Sequence, residues 1–165
     1  MRKILLVLFT VISLGAMAQE KKAPLSPAIT SESEFVTVKY GQPSKKGRVI
    51  FGQLEQYGKV WRTGANAATE VTFKKDVNFG GKSVKAGTYT LFTIPNEKEW
   101  TVILNPELKQ FGAYGYDKIK DKNVAEVKAP VQKLSTPEEK LQISSDNTSF
   151  TIAWDDVKVS VPLKF

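Results

Sequence analysis

The run Trp61-Arg62-Thr63-Gly64-Ala65-Asn66, preceded by Tyr57-Gly58 in "YGKVWRTGANAATEVTF", holds the residue types that could meet a ligand. Tyr57 or Trp61 offers a flat apolar face, Arg62 a planar fork of five donors, and Asn66 a paired donor and acceptor. That set suits sugars, carboxylates and phosphates. Gly64 would let the backbone approach a ligand closely. The same residues also make a structural corner, with Trp61 in the core, Gly64 in a left-handed bend and Asn66 bonded to local backbone. Arg62 would then be a strut stacked on an aromatic ring. Connections in β-sandwiches often need such struts, which favours the corner; both readings stand at this level. Arg48, in the neighbouring basic loop, could converge with Arg62 on one anion. Asn105 and the aromatic, Gly-bearing run Phe111 to Tyr116 complete the candidates. In that run Tyr114 and Tyr116 suit either an adaptable lid or the cover of one end of the fold.

The missing residue types exclude more than the present ones suggest. The chain has neither His nor Cys. A Ser-His-Asp or Cys-His nucleophile, a His or Cys zinc site and an imidazole switch are therefore out of reach, as are disulfides and a cysteine-borne lipid anchor. An enzyme built from this sequence would have to use carboxylates, Lys, Tyr or a hard metal held through oxygen. The visible acidic pairs, Asp155-Asp156, Glu138-Glu139 and Asp117 with Asp121, read as solvated turn charge. Adjacent strand residues point to opposite faces, and none of the pairs has calcium-loop spacing. No catalytic residue, metal site or cofactor is expected, and the balance is against an enzyme.

The net charge is formally +7, with Arg2 and Lys3 contributing two of those charges. Only three of the 24 basic residues are Arg (Arg2, Arg48 and Arg62). Lys scattered over turns and strand edges is a solubility and edge-protection device, whereas nucleic-acid binders cluster Arg on one face. No nucleic-acid partner is expected.

Arg2 and Lys3 precede an apolar run, Ile4 to Leu14, and Ala16-Met17-Ala18 follows with the small residues a signal peptidase recognises. Residues 1–18 thus read as a signal peptide cleaved near Ala18, before Gln19, and the product as exported, periplasmic or extracellular. The run falls short of the about 20 residues a membrane span needs, and no later segment is apolar enough to be one. Residues 19–33, polar and carrying two prolines, read as a flexible leader or an irregular first edge. Residues 34–165 read as one domain.

Within that domain, "EFVTVKY", "TEVTF" and "VKVSVPLKF" alternate with period two, as strands do. Gly80-Gly81 between alternating runs signals a tight hairpin. "AGTYTLFTIP" carries large side chains on both faces, Tyr89 and Leu91 against Phe92 and Ile94, so it should be a central strand. Tyr89 should pack inward and cap a loop with its hydroxyl. The residues from Pro106 to Asp121 show no alternation and read as a loop with one helical turn. "NVAEVKA", "EKLQISS", "TSFTIAW" and "VKVSVPLKF" read as four further strands, giving nine or ten in all. With no amphipathic helix, the expected fold is all-β: an antiparallel β-sandwich or jelly-roll-like barrel in a single domain.

The runs "VTVKYGQPSKKGRVIFGQLEQYGKVWRTGANAAT", "VNFGGKSVKAGTYTLFTIPNEKEWTVILN" and "QFGAYGYD" together resemble a secreted bacterial family, domain of unknown function 2911. The matching motif positions include Tyr57, Gly58, Trp61, Arg62, Thr63, Gly64, Ala65, Asn66 and Thr69. Ala67 stands where the family pattern has an acidic residue, and Phe111 where it has Trp. The resemblance implies an exported β-rich domain and carries over no catalytic residues. The functional expectation is a periplasmic or cell-surface binding module for a polar or anionic ligand, such as a glycan or envelope fragment. Its candidate contacts are Tyr57, Trp61, Arg62 and Asn66, with Arg48, Asn105, Tyr114 and Tyr116. The alternative is a structural or interaction domain of the envelope without a small-molecule ligand.

Overall fold

The computed structural model describes residues 25–165, so the expected signal peptide at 1–18 lies outside the described residues. Nine strands form among the described residues: β1 (Ala28–Glu32), β2 (Val36–Gly41), β3 (Thr69–Phe73), β4 (Val77–Phe79), β5 (Lys82–Val84), β6 (Gly87–Ile94), β7 (Glu99–Asn105), β8 (Ala125–Ser145) and β9 (Ser149–Lys164). They make one antiparallel sheet in the order β1-β2-β3-β6-β7-β8-β9-β4-β5, not closed into a barrel. The all-β antiparallel expectation holds. The sheet curls because β8 pairs with β7 through its first residues and with β9 through the rest. Its two ends thereby enclose one core: Tyr40 of β2 donates its hydroxyl to the Leu141 carbonyl of β8 (3.5 Å), and Phe79 of β4 packs on Phe73 of β3.

Alternation places the side chains. Val36, Val38 and Tyr40 of β2 are buried, as are Val157, Val159, Val161 and Leu163 of β9. Each such residue contributes roughly 1.5–3 kcal/mol by leaving water. Strand β6 lies between β3 and β7 and is covered on both sides, as its sequence requires. Tyr89 and Leu91 enter the main core, while Phe92 and Ile94 join a second cluster with Ile103, Ala68 and Tyr116. The Tyr89 hydroxyl donates to the Lys85 carbonyl at 3.0 Å, tying down the strand entrance. Gly80 and Gly81 join β4 to β5 with φ of 56° and 92°, the geometry a two-residue hairpin demands.

Two expectations need correction. Residues 19–33, read as a flexible leader or an irregular first edge, are not all leader: they contain an edge strand, β1, paired with β2 from Ala28↔Gly41 to Glu32↔Thr37. Its residues are Ala, Ile, Thr, Ser and Glu, none fully buried, so it carries little hydrophobic pattern. Backbone pairing to an edge, not burial, makes it a strand. The four strands expected after residue 124 are two, β8 and β9. The pair Glu138-Glu139 reads as solvated turn charge. Instead, register shifts between Lys133 and Glu138, and again before Gln142, carry the chain through as irregular strand. Asp155 sits opposite with φ 54°, and its carboxylate holds Lys45 at 2.5 Å. Between β7 and β8 lie two short 3-10 turns, Tyr116–Lys118 and Lys120–Lys122, where one helical turn was expected.

Candidate functional site

Trp61 opens the motif and is only 3% exposed. Its ring stacks on Trp154 (centroids 5.9 Å) and meets Trp100 edge-on at 6.1 Å. The indole Nε1 donates to the Gly64 carbonyl at 3.3 Å, and the backbone exchanges two bonds with Thr93 of β6. Thr63 and Asn66, not Gly64, hold the left-handed positions, with φ of 55° and 65°. Gly64 is needed for closeness instead: a Cβ there would lie 3.0 Å from both the Gly41 carbonyl oxygen and Thr69 Oγ1. Thr69 Oγ1 donates to the Thr63 carbonyl at 2.7 Å and locks the bend. Trp61, Thr63 and Gly64 therefore build a corner that clamps the motif to β2, β3 and β6.

Other candidates are committed in the same way. Asn105 is fully buried; its Nδ2 donates to the Ile119 carbonyl and to Asn123 Oδ1, both at 2.8 Å, and its Oδ1 accepts from the Glu107 N–H. Tyr116 is buried edge-on against Phe92, its hydroxyl accepting from Asn123 Nδ2 at 2.8 Å. Together they pin the loop between β7 and β8. Arg48 is exposed and folds back, donating to the carbonyls of Ser44 (2.6 Å) and Lys45 (2.9 Å). Tyr57 lines a shallow depression with Asn96, Glu97, Lys98 and Glu99, apart from the other candidates.

Arg62 and Asn66 point to different places. Arg62 lines a cleft of about 240 Å³ with Glu55, Val60, Trp61, Ala113 and Tyr114. Its Nε is buried and has no hydrogen-bond partner among the described residues. Glu55 comes from the tight turn after Phe51, where its N–H donates to the Ile50 carbonyl. Burial pushes its carboxyl up from about 4.5 to about 7, against the downward pull of the Arg62 and Arg48 charges. Val60 and Ala113, which pack on the second cluster, supply part of that apolar setting. Tyr114 stands at the edge of the cleft, 87% exposed. Glu55 was not legible in the sequence: it lies in "GQLEQYG", where turn residues and charge look ordinary.

Asn66 faces a larger cleft, about 510 Å³, walled by the Ala65 to Ala68 backbone, by β1 and β2, and by the loop from Lys109 to Phe111. Asn66 Nδ2 also donates to the Ser26 carbonyl at 3.2 Å, so the chain ahead of β1 closes one side. The loop is stitched to the motif: the Ala68 N–H donates to the Gln110 carbonyl and the Gly112 N–H to the Asn66 carbonyl. Phe111 presents a ring that is 71% exposed. Lys39, Glu70, Lys109 and Gln110 supply the polar lining. The sequence concealed this cleft because one wall is β1, in the segment read as leader. No group of three or more metal-ligating side chains comes together among the described residues.

Thus the single face expected from Tyr57, Trp61, Arg62 and Asn66 is divided. Trp61 belongs to the core, Arg62 and Tyr114 to the smaller cleft, Asn66 to the larger, and Tyr57 to neither. No curated protein and no solved structure shows significant similarity to the chain. A family model described as "Protein of unknown function (DUF2911)" matches residues 25–163, the span that runs from just ahead of β1 almost to the end of β9. The motif corner, both clefts and all of the sheet except Lys164 fall within that span, and the chain belongs to this family.

Proposed function

We propose that the protein is an exported binding module whose ligand presents a flat apolar face and a polar or anionic rim, as a glycan or envelope fragment does. The larger cleft is the binding site. The observation that carries the reading is Phe111, a Phe ring left 71% exposed at the wall of a cleft of about 510 Å³. That size lies within the range of small-molecule sites, and an exposed aromatic beside a concavity is the usual platform for a sugar ring. Lys39, Lys109 and Gln110, with Asn66, supply donors around it. Export rests on the basic, apolar and small-residue succession of residues 1–18.

Titrating soluble cell-wall and capsular oligosaccharides into the protein by calorimetry tests the binding. Saturable binding is expected, weakened about tenfold or more by Phe111→Ala with the melting temperature nearly unchanged, because that ring is exposed. If no oligosaccharide binds and affinity capture returns an envelope protein instead, the module is an interaction domain. Cell fractionation and N-terminal sequencing test export: the mature chain should begin at Gln19, and a cytoplasmic chain beginning at Met1 would refute it.

A further inference from the structure

Glu55 and Arg62 share a small cleft without closing on one another. Among the described residues they form no ion pair, although the Arg62 charge acts on the Glu55 carboxyl. The Arg62 Nε–H is buried with no partner among the described residues, an arrangement that costs free energy unless something fills it. Water or a ligand would satisfy it. The cleft volume, about 240 Å³, admits only a handful of heavy atoms. We propose that Glu55, Arg62 and Tyr114 form a second site, separate from the larger cleft, that binds a small carboxylate.

The chemistry selects the ligand class. The Nε–H and one Nη–H of a guanidinium lie parallel in one plane, matching the two oxygens of a carboxylate. Glu55 faces the same space and would repel an anion if ionised. Held neutral, its O–H donates to the ligand instead. The complex therefore contains one proton shared between two carboxyl groups, and above the pH at which Glu55 ionises each binding event takes one proton from solvent. Burial already holds Glu55 near neutrality of charge up to about pH 7. The charged groups acting on it are Arg62 and Arg48; the remaining lining is Val60, Trp61, Ala113 and the Tyr114 ring. Arg48 is engaged with the carbonyls of Ser44 and Lys45, which leaves Arg62 as the anchor. Tyr114 offers an exposed ring to cover the ligand's apolar end.

Acetate is a sufficient probe. Titrated into ¹⁵N-labelled protein at constant ionic strength, it should shift the Arg62 Nε–H and Trp61 indole resonances saturably at about pH 6. At about pH 8.5 the affinity should be about tenfold or more weaker, because the deprotonated Glu55 must first take up a proton. Glu55→Gln keeps a neutral donor at that position, so its affinity should be the same at both pH values. Arg62→Gln should remove binding altogether. No saturable shift at the lower pH, or a Glu55→Gln variant retaining the pH dependence of the parent, would overturn the proposal. The Glu55→Gln comparison holds even if the Arg62 variant fails to fold, and none of these readouts depends on what occupies the larger cleft.

Discussion

Glu55 joins a half-buried carboxyl to a stability that must depend on pH. In the unfolded chain it ionises near its ordinary value of about 4.5, whereas burial in the native state raises this to about 7. Below the lower value both states are neutral and the group exacts no penalty. Between the two values the unfolded chain gives up its proton first, so stability falls as pH rises, and it levels off above the native value. A shift of this size corresponds to roughly 3 kcal/mol at most. Urea melts from about pH 4.5 to pH 8 should show such a loss from this group, and Glu55→Gln should flatten that part of the profile. Trp61 makes a different demand. It is stacked on Trp154 and edge-on to Trp100, with its indole bonded to Gly64, so Trp61→Ala should cost about 3–5 kcal/mol in chemical denaturation. A ligand-contact Trp on the surface would cost far less.

At the scale of elements, the site depends on how the motif is clamped against its neighbours. The junction of β2 with the corner is the tightest point: a Cβ on Gly41 would lie 2.1 Å from the Ala65 carbonyl oxygen. Backbone cannot yield there without breaking the Ala65 N–H to Gly41 carbonyl bond. Gly41→Ala should therefore lower the melting temperature by several degrees and loosen the larger cleft, which both residues line. The loop from Lys109 to Tyr114 lines two clefts at once, with Phe111 at the larger and Tyr114 at the smaller. The sequence marked this loop by its aromatics and glycines. It did not indicate that neighbouring aromatics would turn to different clefts, nor that Tyr116 would leave the set and pack on Phe92. That division is made by the Ala67↔Phe111 bridge and by the 3-10 turn that buries Tyr116.

Across the whole molecule, a single curled sheet joins residues far apart in the chain: Phe79 of β4 pairs with Leu163 of β9, and β2 bonds to β8 through Tyr40 and Leu141. Such topology must close long loops before its contacts form, so folding should be slow, in the millisecond to second range by stopped-flow fluorescence of the three Trp. A microsecond phase carrying the full amplitude would contradict it. The amino-acid sequence by itself determined the all-β class, the central place of β6, the Gly80-Gly81 hairpin, the inward Tyr89 and the absence of any His or Cys chemistry. Each of these follows from local alternation, from turn conformations few residues tolerate, or from composition alone. Only the tertiary structure decided that β1 is a strand, that β8 and β9 run through the expected breaks, and that Trp61, Arg62 and Asn66 part company. Backbone pairing to an edge and the curl of the sheet are long-range effects that leave no periodic trace. For the same reason Glu55, ordinary in its own turn, becomes chemically distinct only when the fold sets it beside Arg62 under apolar cover.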